Sequence, residues 1–246
     1  MHMNNKKKTA AVVLAAGQGK RMGSGTAKQY MLLDGKPVLY YALRAFEQSG
    51  TDTVILVTGK DEIEYCKKEI VEFYGFKKVK AVVPGGKERY HSVAGGLRAL
   101  KEMEDGTEIV LIHDGARPFV TPDIIHKLIE ETGEKEACVI GTPVKDTIKI
   151  ADDEGCCAQT PPRNKVWAVQ TPQAFKYTLV AEAYEELLQS EEELLRQGVL
   201  ITDDAMVVEH MTDSKVFLVE GDYTNIKITT PEDLVICEAF LKKIKK

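Results

Sequence analysis

Five short aliphatic runs, at residues 10–15, 53–58, 79–83, 109–113 and 137–141, recur through the first part of the chain, and each is apolar almost end to end. A strand with one wet face alternates polar and apolar residues. A strand without alternation is covered on both faces, which is the condition inside a sheet flanked by helices on either side. The stretches between the runs supply those helices. "PVLYYALRAFEQSG", "DEIEYCKKEIVEFYG", "ERYHSVAGGLRALKEM" and "TPDIIHKLIEETG" carry helical periodicity; the first and last open near a proline, and three of the four run into glycine. Short strands alternating with longer helices select an α/β fold with a doubly wound, mostly parallel sheet of the Rossmann-like kind.

The pattern changes at residue 142. From there to 171, "KDTIKIA" and "KVWAVQ" alternate polar and apolar residues around a turn-rich middle, "DDEG" and "TPPRN", which reads as a β-hairpin projecting from the domain. The expected organisation is therefore one domain over residues 1–246 with an arm at about 142–171. A hairpin buries little of itself alone, so the arm is expected to dock on a second copy and make a homodimer. Helical periodicity returns at 177–197 and 203–211. A strand pair, "KVFLVEG" and "NIKIT", then leads to a last helix opened by Pro231 and capped by Thr230.

Charge and composition exclude several classes. Among 246 residues, 38 acidic against 33 basic side chains leave a formal net charge of −5, the wrong sign for non-specific nucleic-acid binding. No apolar stretch approaches the roughly 20 residues that span a bilayer, and "MHMNNKKKT" is too polar for a signal peptide. Neither a nucleic acid nor a membrane is an expected partner. The five cysteines, Cys66, Cys138, Cys156, Cys157 and Cys237, are odd in number and lack CxxC spacing. They read as free thiols in a reducing, cytoplasmic setting.

The first strand runs straight into a glycine-rich loop, "AAVVLAAGQGKRMGSGTAKQY". It is not the dinucleotide fingerprint, because Met22 stands where the third glycine belongs, and it lacks the Gly-Lys-Ser/Thr of a Walker A loop. What remains is glycines that let backbone N–H groups approach an anion, followed by two cations, Arg21 and Lys28. A polyphosphate suits that arrangement; a tight turn with solvated cations would give the same spacing. "PGGKER" joins another strand to a helix, and Gly85, Gly86 and Ser92 could read the edge of a pyrimidine or simply shape the turn. Asp114 ends the strand "EIVLIHD", where open parallel sheets place ligand groups. Magnesium takes one or two carboxylates plus phosphate oxygens, so Asp114 could hold the metal, substrate hydroxyls, or both in turn. His113 reads as a packing residue, since the other histidines stand apart.

These stretches resemble the nucleotidyltransferases that join a nucleoside triphosphate to a phosphorylated sugar or polyol. Further ones, "GGKERYHSV", "HDGARPF", "PVKDTIK", "RNKVWAVQTPQAF", "ITDDA" and "NIKITTPEDL", follow in order and resemble one branch, the 2-C-methyl-D-erythritol 4-phosphate cytidylyltransferase family. That resemblance covers nearly the whole chain from Thr9. It implies transfer of a cytidylyl group from CTP to the polyol phosphate, with magnesium or another divalent cation and with pyrophosphate as product. It implies that Arg21 and Lys28 stabilise the transition state and that Arg163 and Lys227 orient the incoming phosphate. It places cytosine against Ala15, Ala16, Gly17, Gly85, Gly86 and Ser92, and the polyol phosphate against Asp114, Arg117, Thr147 and Thr171. Thr147 and Arg163 sit on the arm, so a dimer would lend them in trans. Gly115 and Ala27 stand where the family often has Ala and Pro, and Lys87 stands where it often has an acidic or polar residue. A ribitol 5-phosphate cytidylyltransferase and a nucleotide-binding module without turnover remain as alternatives.

Overall fold

The computed structural model describes residues 7–17 and 27–244. Seven strands form one sheet: β1 (Thr9–Ala15), β2 (Thr53–Thr58), β3 (Val79–Pro84), β4 (Ile109–Asp114), β5 (Ala137–Pro143), β6 (Trp167–Lys176) and β7 (Phe217–Glu220). Their order is β7-β5-β6-β4-β1-β2-β3. All neighbours run parallel except β6, which is antiparallel to β4 on one side and β5 on the other. All five aliphatic runs are strands, four of them longer than expected by one or two residues.

Successive β1 residues point to opposite faces and both faces are dry. Ala11 and Val13 pack with Leu43 and Phe46 of α1 (Val38–Gln48) and with Ile125 and Leu128 of α4 (Pro122–Lys135). Ala10 and Val12 face Val93 and Leu97 of α3 (Arg89–Met103), together with Tyr184 of α5 (Tyr177–Arg196) and Val208 of α6 (Asp204–Met211). A buried Leu or Phe contributes about 1.5–3 kcal/mol relative to exposure, so two such layers explain why neither face of the sheet tolerates polar alternation. The helix between β2 and β3, α2 (Ile63–Tyr65), continues as π-helical turns over Cys66–Glu72 and keeps Cys66 and Ile70 in the core. A third cluster gathers Leu33, Val38, Phe119 and Ile228 under Cys237 and Leu241 of α7 (Pro231–Ile244). Asp233 Oδ2 accepts the amides of Thr229 (2.7 Å) and Thr230 (2.9 Å) at the start of that helix.

Two expectations are corrected. The arm is shorter than 142–171: β5 keeps Thr142 and Pro143, and β6 begins at Trp167, with Trp167 opposite Pro143 and Ala168 opposite Thr142. "KVWAVQ" therefore enters the central sheet instead of folding back on "KDTIKIA". The excursion between the two strands holds only a small ladder of Ile150–Ala151 against Cys157–Gln159, and residues 145–160 are exposed throughout. Alternation marks a strand end with one wet face but does not say which strand it joins. "NIKIT" is not a strand. Its Ile228 N–H donates to Ala116 O at 2.9 Å, and Ile226 and Ile228 alternate because they turn toward the cluster under α7.

Candidate active site

Because β1, β2, β3 and β4 are parallel, their carboxyl ends arrive on one side of the sheet. There they surround a cleft of about 720 Å³ lined by Ala15, Ala16, Gly17, Lys28, Gly86, Ser92, Asp114 and Lys227, all anticipated from the sequence, and also by Gln29, Lys87, Glu88 and Arg89. Arg21 lies outside the described residues.

The glycine pair after β3 is fixed by close approach. Gly85 N–H donates to Thr58 O at 2.7 Å, and a Cβ on Gly85 would overlap Ala16 Cβ and sit 2.9 Å from Ser92 Oγ. Gly86 N–H donates to Ser92 Oγ at 3.1 Å, and that hydroxyl donates back to Glu88 O at 3.3 Å. The turn after β3 is thus pressed against the Ala16 side chain at the exit of β1 and bonded into the first turn of α3 through Ser92, beside the cleft.

Asp114 is the charge centre. Lys227 Nζ stands 2.8 Å from its Oδ2, Arg89 Nε 3.4 Å from its Oδ1, and Arg117 Nε 3.9 Å from its Oδ2. Burial alone would raise this carboxyl, but Arg89, Lys227 and Arg117 together hold it well below the ordinary carboxylate range. Arg117 is itself drawn down by burial; its Nη1 donates to Asn225 O at 2.8 Å, which ties the strand end to the segment bearing Lys227.

Arg89 was not anticipated as part of the site, nor was Asp204. The Arg89 fork grips Asp204 with two bonds of 2.7 Å, and Tyr184 OH also donates to Asp204. Asp204 is fully buried at the start of α6. Burial would lower the Arg89 guanidinium, and Asp204 and Asp114 outweigh it to raise it. The only sequence signal was that "ITDDA" accompanied the other stretches; the partner of its second Asp lies 115 residues away.

Behind Asp114 runs a buried polar chain. Asp114 N–H donates to Thr171 Oγ1 at 3.0 Å, Thr171 Oγ1 faces His113 Nδ1 at 3.1 Å, and His113 Nε2 faces Arg117 O at 3.3 Å. The carbonyl can only accept, so Nε2 carries the proton and Nδ1 accepts from the Thr171 hydroxyl. Burial lowers His113 to about 4, so it is neutral near pH 7 and supports the strand end. Thr171 is buried with its hydroxyl turned into this chain.

Thr147 and Arg163 do not line the cleft in the single chain. Both are exposed on the excursion, where Arg163 Nη1 donates to Lys145 O at 3.1 Å. Among the described residues no three His, Cys, Asp or Glu converge as a metal cage. Magnesium keeps few protein ligands, and the carboxylate at the end of β4 in the cleft, Asp114, has both oxygens paired with Lys227, Arg89 and Arg117. No described helix is long and apolar enough to cross a membrane.

A family model, IspD: 2-C-methyl-D-erythritol 4-phosphate cytidylyltransferase, matches residues 9–243. The 2-C-methyl-D-erythritol 4-phosphate cytidylyltransferase of Lachnoclostridium phytofermentans is 52% identical over 236 residues, covering 96% of this chain and 97% of that protein. The protein of the same name from Alkaliphilus oremlandii is 45% identical over 241 residues, covering 98% of both. Among solved structures, the 4-diphosphocytidyl-2C-methyl-D-erythritol synthase of Anaerococcus prevotii superposes with a TM-score of 0.82 at 37% identity and 96% coverage of each chain. The Thermus thermophilus 2-C-methyl-D-erythritol 4-phosphate cytidylyltransferase gives a TM-score of 0.70 at 30% identity, covering 96% of this chain and 99% of that one.

Proposed function

The chain belongs to the 2-C-methyl-D-erythritol 4-phosphate cytidylyltransferase family, and from that premise we propose how its own residues divide the work. It transfers the cytidylyl group of CTP to 2-C-methyl-D-erythritol 4-phosphate, giving 4-diphosphocytidyl-2-C-methyl-D-erythritol and pyrophosphate. A phosphate oxygen of the polyol attacks the α-phosphorus, a new P–O bond forms, and the bond to the β-phosphate bridging oxygen breaks. The nucleophile is already ionised near neutral pH, so no general base is needed.

Two polyanions must meet, and positive charge that strengthens as the five-coordinate phosphorus forms is what lowers the barrier. Arg21 and Lys28 supply it at the triphosphate. Lys227, held 2.8 Å from Asp114, and Arg117 present the polyol phosphate in line, since orientation removes several kcal/mol of the barrier. Ser92, Gly85 and Gly86, with the backbone at Ala15, Ala16 and Gly17, read the cytosine edge. Thr147 and Arg163 complete the polyol phosphate site from the arm of a second copy in a homodimer, whereas Thr171, its hydroxyl held between Asp114 N–H and His113 Nδ1, supports the strand end instead of meeting the substrate. Asp114 would hold magnesium or another divalent cation together with the nucleotide phosphates, and that ion would supply further charge neutralisation. Five unpaired cysteines suit a reducing compartment, which we take to be the cytoplasm.

The observation that carries this reading is the convergence of Asp114, Lys227, Arg89 and Lys28 around one cleft beside the glycine pair. Pyrophosphate release measured with each of the four nucleoside triphosphates against methylerythritol phosphate and ribitol 5-phosphate tests it. CTP with methylerythritol phosphate is expected to be fastest; faster turnover with UTP or with ribitol phosphate overturns the substrate assignment.

A further inference from the structure

Gln29 stands between Lys28 and Tyr30, and its side chain turns away from solvent, with 2% of its surface exposed. Its Nε2 donates to Ala15 O at 2.6 Å and to Gly17 O at 3.1 Å. These are carbonyls at the point where the chain leaves β1. The preceding carbonyl, Leu14 O, is already taken by Gly115 N–H at 2.8 Å, so the carboxamide continues the bonding of the strand beyond the reach of the sheet. The next residue is bolted elsewhere. Tyr30 OH donates to Glu62 Oε2 at 2.9 Å, and the same oxygen accepts Gly59 N–H at 3.0 Å, just past the end of β2.

Lys28, Gln29 and Tyr30 form a single 3-10 turn, in which successive side chains diverge by roughly a third of a turn. Gln29 and Tyr30 consume two of those directions on β1 and on the segment after β2. Lys28 takes the third, toward the cleft. We propose that Gln29 is a positioning residue: its two donors clamp the return of the glycine-rich segment to the end of β1 and thereby fix where the Lys28 ammonium meets the triphosphate. Among uncharged side chains of this length, a primary carboxamide is the one that offers two N–H donors from a single atom to two carbonyls. Glutamate would set oxygen against oxygen, and methionine would fill the space without bonding. The proposal rests on the role given to Lys28 under the proposed function.

The test is a double-mutant cycle read by steady-state kinetics on the full chain, with Gln29→Met, Gln29→Glu and Lys28→Met alone and combined. Each Gln29 variant is expected to lose about 100-fold in kcat, the scale of a roughly 1 Å misplacement. The KM for methylerythritol phosphate should move by less than about threefold, because Asp114, Arg117 and Lys227 are anchored on other segments. In the Lys28→Met background the same changes should cost less than about threefold more. A full 100-fold further loss in that background would mean that Gln29 acts otherwise than through Lys28, and the proposal falls. It also falls, with the Lys28 assignment intact, if Lys28→Met collapses the rate while the Gln29 variants keep it. If Lys28→Met itself retains the rate, the Lys28 assignment fails and takes the clamp with it. Circular dichroism and thermal midpoints report folding, and if neither Gln29 variant folds, the residue serves folding and the proposal is wrong.

Discussion

Asp114 and Arg163 carry opposite charges in opposite circumstances. Around Asp114, Lys227, Arg89 and Arg117 are already paired, partly buried and tied to different segments. The Arg163 side chain makes one hydrogen bond among the described residues, to the carbonyl of Lys145 on the same exposed excursion. The cleft at the carboxyl edge of the sheet is cross-linked by ion pairs between distant segments of the chain, whereas the arm carries its polar groups on an exposed excursion. Preorganised charge is effective in catalysis because it needs no rearrangement when the transition state forms. An exposed cation on a short turn beyond a small two-stranded ladder has no such advantage until a second surface covers it. On the proposed reading, that surface is another copy of this chain.

The largest effect should come from the cleft. Lys227→Ala is expected to lower kcat about 1000-fold, the upper range for removing one preorganised donor, as read by pyrophosphate release at saturating CTP. A near-normal rate would make the Asp114–Lys227 pair structural only. On the arm, Arg163→Ala should also be nearly inactive as a homodimer. If its residues act in trans, mixing it with Lys28→Ala chains should restore activity to about a quarter of wild type, since random pairing leaves half the dimers mixed and one site of each intact. No recovery on mixing would place both residues in one site of one chain.

Asp204→Asn separates support from chemistry within the cleft. It leaves Arg89 without its bidentate partner, a loss of about 3 kcal/mol for breaking a buried pair, at the lower end because the Arg89 side chain is 28% exposed. Urea unfolding would show it as a lowered midpoint. His113 gives a pH test of the chain behind Asp114. Its native value of about 4 lies below the ordinary 6.5, so below pH 6.5 the unfolded chain takes up a proton that the native one refuses. Stability should therefore be full above pH 6.5 and fall toward pH 4 by at most about 3 kcal/mol. His113→Gln should remove that slope. Last, Gly115→Ala would bring a Cβ to 2.8 Å from Leu39 Cδ1 and 3.0 Å from Leu14 O, and should cost about 1 kcal/mol by overpacking. The β1–β4 junction of this chain is packed for Gly, and a thermal midpoint raised by the substitution would refute that.

Much of this was legible in the chain. The aliphatic runs marked the covered strands, because absence of alternation is a local property. The thirteen residues "TPDIIHKLIEETG" marked α4, although the helix passes through Gly133 to Lys135. Ala15, Gly17, Gly86 and Asp114 could be placed at or just past strand ends, with Ser92 in the first turns of the helix that follows, and strand ends of a parallel sheet share one edge. The arm was legible as an exposed, turn-rich stretch, but its boundaries were not.

Periodicity and turn residues thus determined the class of sheet and the helices that cover it, and the resemblance of the ordered motifs pointed to the family. Tertiary structure alone decided that "KVWAVQ" joins β5 instead of its neighbour, that Asp204 holds Arg89, and that Gln29 ties its turn to β1. Each of these is a pairing between segments whose own patterns are satisfied by more than one partner. A hydrogen bond across 115 residues leaves no trace in the residues beside either end. Only the packing of the whole chain brings those ends within reach.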